Sequence, residues 1–568
     1  MVTQPPADIH VLLSGHPFTS WLPENVVARL AESARILQAG AGEVVVREGD
    51  PGEDAYLVVG GRLVATVDGE VVGEIGRNET FGEMALLTGE RRTATITVRR
   101  PSTMVRIGAA EFADLLTEYP QAHRALATQL VQRLDRSQRG HRDGGEPALI
   151  AVAGLSGEAA GGLASDLAEA FRRAGLRTDV MPVSEDLDLA RIELAGAMAI
   201  VHGTLAEVHG HRSSFDRLLV VADAATDRPT SLAPTPFDNT SAELVLVHPA
   251  NQSLPSRTTA WLRATSVSDH HHVRRGRADD TERLVRRLLG REYVLVLGGG
   301  GARGLAHVGT YRALVEAGIP IDAVAGVSAG SLFAAGIAMD RTPDEAEELS
   351  IELLVDAGSL VDLTIPTVAL SSGRRITERI QQAFGADTDM EDLWRPMFTV
   401  SADLATLAPV VHRTGPLWRA IRASVGVPGV FPPLVEGEAV LVDGGVIDNL
   451  PVQRARRLYP RATIIASDVA RRHEQLRHNL PDDGIVSGWR SAWYRVARRN
   501  RTAGLVSLLY RLTALGSGGD PGARGDIHIE HRLDGIGMFD FAKARPTIRA
   551  GYEQASAVLA ATSLSPNP

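Results

Sequence analysis

The sequence predicts a multidomain protein: an N-terminal β-roll with helices, then a middle α/β unit, then a C-terminal α/β domain. Three observations carry that expectation. Across residues 42–76, "GEVVVREGDPGEDAYLVVGGRLVATVDGEVVGEIG", glycine turns separate short β-branched runs, which is the pattern of antiparallel strands. From residue 148 onward apolar runs alternate with helically spaced segments, as parallel α/β layers require. Two glycine-rich turns, at 298–304 and 326–330, each follow a short apolar run and open a helical one. A chain of 568 residues also exceeds what a single core holds together.

Taken in order, the first domain spans 15–136 and closes with the helically spaced "AAEFADLLTEYPQAHRALATQLVQRLDR". "SQRGHRDGGEP" (137–147) is polar and glycine-containing, and is expected to be a linker. Residues 148–290 form a Rossmann-like α/β unit with strands "ALIAVAG", "AMAIVHG", "FDRLLVVADA" and "AELVLVHPA". Its end, "DHHHVRRGRADDTERLVRRLLGRE" (269–292), reads as a charged connector with a helical second half. A core at 291–456 and an extension at 457–568 complete the chain.

Composition excludes several functions. A formal charge of −10 argues against a surface that coats nucleic acid. With no cysteine, disulfides, thiolate zinc sites and cysteine nucleophiles are all ruled out. The N-terminal "MVTQPPADIHVLLSGHPF" lacks a basic segment followed by an apolar one, so no signal peptide is expected. No apolar run approaches the roughly 20 residues that span a bilayer. The expectation is a cytoplasmic protein able to touch a membrane face.

In the first domain, "FGEMALLTGERRTATI" (81–96) is the informative stretch. A helix starting after Gly82 would aim backbone N–H groups at an anion, and Arg92 would add a charge-assisted contact. Glu83, an acceptor, suits a sugar hydroxyl. The stretch resembles the phosphate cassette of cyclic-nucleotide-binding domains, and the resemblance covers about residues 17–135, including "EGDPGEDAYLVVGGRL". It implies that Glu83 takes the ribose hydroxyl and Arg92 the cyclic phosphate of cAMP or cGMP. Thr93 would stand where a hydroxyl residue favours guanine. A roll that keeps this shape without a ligand is the alternative. In the middle unit, "AGLSGEAAGG" lacks the Gly-Lys-Ser/Thr of a P-loop and is expected to serve packing.

"YVLVLGGGGARGLAHVG" (293–309) poses the central question. Gly299-x-Gly301-x-x-Gly304 satisfies the dinucleotide fingerprint, with Glu316 and Asp322 near the offset of a ribose-binding acid. Downstream, "IDAVAGVSAGSLFAAGIAM" contains Gly326-Val-Ser328-Ala-Gly330, a nucleophile elbow that projects a serine from a sharp strand-to-helix turn. If the two preceding strands are parallel neighbours, both turns emerge at one sheet edge. The amides of Gly299, Gly300, Gly301, Ala302, Arg303 and Gly304 would then face the transient oxyanion of an acyl intermediate on Ser328.

The serine needs a base. His412, His473, His478, His528 and His531 follow it, none in a telling motif. In "EAVLVDGGVIDNLPV" an apolar strand ends at Asp443, and Gly444 and Gly445 turn the chain sharply. Asp443 could take the serine proton directly, the more so if burial raises its pKa. Asp322 is the rival, but six residues before Ser328 on an extended strand it stands about 20 Å away.

"GGGGARG", "GVSAG" and "DGG" together resemble the patatin-like phospholipases, as does "IRASVGVPGVFPPL" (421–434). That family uses a Ser–Asp dyad, which implies Ser328 as nucleophile, Asp443 as base and the glycine loop as oxyanion hole. Adding the first domain, "LPSRTTAWL" and "FDFAKARPTIRAGYE", nearly the whole chain resembles the neuropathy target esterase group of lysophospholipases. Larger members carry several cassettes where one is visible here, and no N-terminal membrane helix is present, so membrane residence is not carried over.

The resemblance implies a serine esterase acting on lysophospholipids or phospholipids, with no catalytic cofactor and no metal, open to control by a cyclic nucleotide. His270, His271 and His272 are expected in a solvated loop. "SGWRSAWYRVARRNRTAGLVSLLYRL" (487–512) could lie on a membrane, pack as a helix pair or make a homo-oligomer contact. Two other functions compete: a catalytically silent nucleotide-sensing interaction protein, and a dinucleotide-binding oxidoreductase that would leave the elbow and Asp-Gly-Gly without a role.

Overall fold

The computed structural model describes residues 6–138, 148–155, 157–184, 198–209, 211, 214–227, 242–265, 267, 269–356, 358, 360–365, 367–470 and 524–562. Most of the expected linker, the stretch 487–512, His473 and His478 lie outside these residues. Two compact units divide the chain: Met1–Gln252 with Ala260–Gly290, and Ser253–Thr259 with Arg291–Asn567.

The first unit opens with a roll of six antiparallel strands. They are β1 (Arg35–Ala39), β2 (Val44–Val46), β3 (Asp54–Val67), β4 (Glu70–Gly76), β5 (Thr80–Phe81) and β6 (Thr95–Gly108). β1, β6, β3 and β4 adjoin in that order, with β2 on β6 and β5 on β3. Helices α1 (Pro6–Gly15), α2 (Glu24–Ser33), α3 (Glu83–Thr88), α4 (Ala109–Glu118) and α5 (Pro120–Gln138) accompany it. Leu13, Phe18, Leu30, Leu57 and Phe112 bury one face of the roll against α1, α2 and α4.

The same unit holds a parallel sheet of β7 (Leu149–Gly154), β8 (Thr178–Pro182), β9 (Met198–Thr204), β10 (Arg217–Asp223), β11 (Ala242–His248) and β12 (Asp269–Arg274). Its order is β12-β11-β10-β7-β9-β8. In a Rossmann order the second strand would lie beside the first; here β9 pairs with β7 and β8 is displaced to the edge. Helices α6 (Gly157–Arg173) and α7 (Ala278–Leu289) bury Leu167, Phe171, Leu284 and Leu288 against one face.

The start of 269–292 is a strand rather than a connector. His271 and His272 are buried on β12 instead of standing in a solvated loop. Their polar atoms have partners inside the sheet: His271 Nε2 meets Glu243 at 2.7 Å, and His272 Nδ1 meets His248 Nε2 at 2.9 Å. A paired imidazole can be buried at low cost, and that pairing is invisible to composition.

Roll and sheet share a buried ion cluster. Asp216 Oδ1 pairs electrostatically with Arg62 Nε at 3.0 Å and accepts from Arg100 Nε at 3.1 Å, and Oδ2 accepts from the amides of Ala148 and Leu149 at 2.7 and 3.0 Å. Burial would raise this carboxyl, but the two guanidinium groups and two amides prevail and hold it down at about 2.

In the second unit β13 (Tyr293–Leu297) is central, flanked by parallel β14 (Ala323–Val327) and β19 (Thr463–Asp468), with β20 (Ile527–Glu530) outside β19. Val294 and Val296 face one core while Leu295 and Leu297 face another, which is why this strand is apolar without alternation. β15 (Met397–Asp403) continues the sheet beyond β14, and β16 (Ala408–His412), β17 (Leu434–Glu436) and β18 (Ala439–Asp443) complete it in antiparallel sense. Both β16 and β18 pair with 401–403 of β15, so they occupy opposite edges of it. β16 also overlaps the register of β14, so β14 and β18 share one edge and meet end to end. Among the described residues no helix is long and apolar enough to cross a membrane.

Candidate active site

Ser328 stands where β14 turns into helix α9 (Ala329–Ala338), with φ 54° and ψ −129°. A non-glycine residue held at that positive φ stores about 1–3 kcal/mol of strain and persists only when its surroundings over-determine it. They do so here. A side-chain carbon on Gly326 would fall 2.4 Å from the Gly330 carbonyl oxygen, and one on Gly330 would fall 2.4 Å from that of Leu297. Both flanking glycines are therefore steric necessities of the turn. Ser424, the last residue of α10 (Leu417–Ser424), accepts from the Ser328 amide at 3.0 Å and donates to the Val400 carbonyl at 2.8 Å.

Asp443 ends β18 opposite Ser401, one position past the Val327–Val400 pair that ends β14. Two strands converging on one edge of β15 thus bring the side chains together. Ser328 Oγ donates to Asp443 Oδ2 at 2.6 Å, and the Gly445 amide donates to Oδ1 at 2.8 Å. The serine is 5% exposed and the aspartate 4%, and among the described residues no cation pairs with the carboxylate. Burial raises its pKa to about 6, more than the bonds from Ser328 and Gly445 lower it.

The other bases stand elsewhere. His412 Nε2 bonds Ser401 Oγ at 2.7 Å, His531 Nε2 bonds Thr310 and Ser467 at 3.0 Å each, and His528 Nε2 lies 4.0 Å from Asp468. Asp322 accepts from the Tyr293 amide at 2.9 Å, where β13 begins and the elbow is a strand length away.

The glycine loop follows β13 and passes beside the serine: a carbon added to Gly299 would lie 2.9 Å from Ser328 Cβ. Its six expected donors narrow. The Gly299 amide donates to the Asn449 carbonyl at 3.1 Å, that of Ala302 to Met538 at 2.7 Å, and that of Arg303 to Gly300 at 3.3 Å. Gly304 lies inside the short 3-10 turn Gly301–Leu305. Among the described residues the Gly300 and Gly301 amides have no acceptor, so these two can receive an oxyanion. The Arg303 guanidinium does not face the serine. It donates to the carbonyls of Val469 at 2.8 Å and Leu533 at 3.1 Å and ties the loop to the C-terminal extension.

Two supports escaped sequence reasoning. His307, on α8 (Ala306–Glu316), is buried, with Nε2 at 2.8 Å from the Gly298 carbonyl and Nδ1 at 2.8 Å from Ser467 Oγ. Burial lowers its pKa to about 4, so it is neutral and Nε2–H donates to the loop. Asn449 Nδ2 donates to the Gly299 carbonyl at 3.1 Å. Its place six residues after Asp443 in the same turn was the available signal.

In the roll, Gly82 caps α3 with φ 83° and Glu83 is buried at the first helical position. Arg92 is 6% exposed; its Nη1 donates to the Gly82 carbonyl at 2.8 Å and its guanidinium lies 5.9 Å from the Tyr56 ring centre. No carboxylate among the described residues neutralises it. Thr93 is exposed beside it. Among the described residues no cluster of three or more His, Asp and Glu is arranged to hold a metal.

Comparison with known proteins adds a second line. Residues 295–456 match the family described as patatin-like phospholipase, and residues 36–119 the cyclic nucleotide-binding domain. An NTE family protein of Mycobacterium bovis is 30% identical over 78% of this chain and 77% of its own length. Patatin-like phospholipase domain-containing protein 7 of Rattus norvegicus is 29% identical over 81% of this chain and 40% of its own. Patatin-like phospholipase domain-containing protein 6 of Homo sapiens is 29% identical over 80% and 39%, so this chain spans about two fifths of these mammalian relatives. Among solved structures, the sensor domain of the transcriptional regulator DNR from Pseudomonas aeruginosa aligns with 23% of this chain and 91% of its own, at 20% identity and a TM-score of 0.21.

Proposed function

Because this chain belongs to the NTE family and is a lipid ester hydrolase, we propose that it cleaves carboxylic esters of lysophospholipids or phospholipids through a Ser328–Asp443 dyad. The observation that carries the reading is the 2.6 Å bond between the serine hydroxyl and a buried carboxylate that no cation among the described residues neutralises. Ser328 Oγ adds to the ester carbonyl carbon while its proton passes to Asp443 Oδ2. The carbonyl electron pair moves onto oxygen, where the Gly300 and Gly301 amides receive it. Collapse breaks the bond to the leaving alcohol, which takes the proton from Asp443 and leaves an acyl-serine. Water then gives a proton to Asp443 and adds to the acyl carbon. Collapse releases the fatty acid and returns the proton to Ser328.

A carboxyl at about 6 suits both directions of transfer. It is mostly ionised at neutral pH, yet basic enough to hold the proton between steps.

The reading includes cAMP or cGMP as a regulatory ligand of the roll. The buried Arg92, with no carboxylate partner among the described residues, supports a phosphate there, and Glu83 supports a ribose hydroxyl beside it.

Hydrolysis of a lysophospholipid and of a short-chain aryl ester by wild type and Ser328→Ala tests the esterase reading. A loss of at least about 10³-fold on both substrates is expected. A fluorophosphonate should label Ser328 alone. Activity retained in the variant, or labelling of another residue, removes the assignment.

A further inference from the structure

We propose that Asn449 is a positioning residue that holds the Gly300 and Gly301 amides in place over Ser328, and so governs stabilisation of the tetrahedral intermediate without touching it. The inference rests on the esterase reading above.

Asn449 grips the glycine loop twice. Its main-chain carbonyl accepts from the Gly299 amide at 3.1 Å, and its Nδ2 donates to the Gly299 carbonyl at 3.1 Å. The first bond occupies the Gly299 amide and leaves the next two for an oxyanion. The second fixes the peptide plane that leads into them.

The same side chain touches the turn that carries the base. Asn449 Oδ1 would lie 2.5 Å from a side-chain carbon on Gly299 and 2.8 Å from one on Gly445. It therefore sits between the α-carbons of the two loops, and both must be glycine to admit it. Gly445 is the residue whose amide holds Asp443 Oδ1. One carboxamide thus sets the separation between the oxyanion donors and the turn that orients the base.

Oδ1 itself is buried and has no hydrogen-bond donor among the described residues. Leaving a buried carbonyl without a donor costs about 1–3 kcal/mol, so the group is not there for stability alone. Rotating the amide would not relieve it, because Oδ1 would then oppose the Gly299 carbonyl. The arrangement exchanges a hydrogen bond for a fixed distance between two loops.

A shift of about 1 Å in reacting geometry can cost about 10²-fold in rate. Asn449→Ala keeps the main-chain bond but removes the side-chain bond and the spacer. Three quantities test the inference: kcat/KM on a lysophospholipid, inhibition by an alkyl trifluoromethyl ketone that forms a tetrahedral adduct, and binding of an uncleavable ether analogue of the lysophospholipid. The expected result is a fall of about 10²-fold in kcat/KM, an equal weakening of the ketone, and ether binding within about twofold of wild type. A variant that merely misfolds would lose ketone and ether together. If Asn449→Ala does not fold, Asn449→Ser is measured by the same ratio of ketone to ether affinity. A ratio equal to that of wild type overturns the inference, whether both affinities fall or neither does. Ser328→Ala is the parallel control: activity and ketone sensitivity surviving in it strike the esterase reading itself, whereas an unchanged ratio with an inert Ser328→Ala strikes only the role of Asn449.

Discussion

Ser328 and Asp443 occupy adjoining positions along one edge of β15, reached by a parallel strand from one end and an antiparallel strand from the other, and their side chains share a hydrogen bond of 2.6 Å. The contact joins residues 115 apart in the chain, and neither can shift without displacing a strand end. Preorganisation of this kind lets a carboxylate replace an imidazole as base, because no flexible side chain has to be oriented first.

In the proposed dyad Asp443 must be ionised to accept the serine proton, and burial raises its pKa to about 6. kcat/KM should be level above about pH 7, halve near pH 6, and fall about tenfold for each further unit of acid. A pH–rate profile on a lysophospholipid measures this, and full activity persisting at about pH 4.5 would contradict it.

The same carboxylate should weaken the fold. Its folded pKa of about 6 exceeds the ordinary aspartate value of 3.8, so the native state binds this proton more tightly than the unfolded chain. The resulting stabilisation is complete below about pH 4 and disappears as pH rises through 6. At neutral pH the buried charge is a burden. Asp443→Asn should therefore be inactive yet more stable than wild type by about 1–3 kcal/mol at pH 8, with the gain vanishing near pH 4. Urea unfolding at both pH values decides; equal differences would show that the carboxylate is not buried as described.

The elbow glycines differ in kind from a third glycine on the helix that follows Ser328. Gly330→Ala drives a carbon to 2.4 Å from the Leu297 carbonyl, whereas a carbon on Gly336 would find its nearest neighbour, Leu349 Cδ2, at 3.8 Å. The first change should abolish activity and destabilise the unit by more than about 2 kcal/mol. Gly336→Ala should be neutral or stabilising by about 0.4–1 kcal/mol. Melting curves and ester hydrolysis report both, and comparable behaviour of the two variants would refute the steric account.

In the roll, Arg92→Ala should remove calorimetric binding of cAMP and cGMP, while Arg91→Ala should retain it. Arg91 is exposed and its guanidinium bonds the Gly49 carbonyl. No heat from either nucleotide with wild type would leave the roll as a scaffold.

Local chemistry carried a large part of this protein. Alternating runs forecast the three sheets, and Gly326-Val-Ser328-Ala-Gly330 announced its turn because the forces that shape it act between atoms a few residues apart. The errors lay where partners are distant. His271 and His272 read as solvated because the glutamate and histidine that receive them belong to a neighbouring strand. The amides of Gly299 and Ala302 read as open donors because the carbonyls that receive them, those of Asn449 and Met538, lie far along the chain and cannot be seen from the loop itself.

By itself the sequence determined that a strained serine turn, a glycine loop and an aspartate–glycine turn would exist, since each depends on backbone sterics within a short segment. The tertiary structure brought Asp443, which the sequence favoured over Asp322 and the histidines, to within a hydrogen bond of Ser328, and it alone decided that two amides of the loop rather than six stand open. Both outcomes follow from strand register and long-range hydrogen bonds. Those are set by which surfaces the whole chain buries together, a quantity that no local stretch contains.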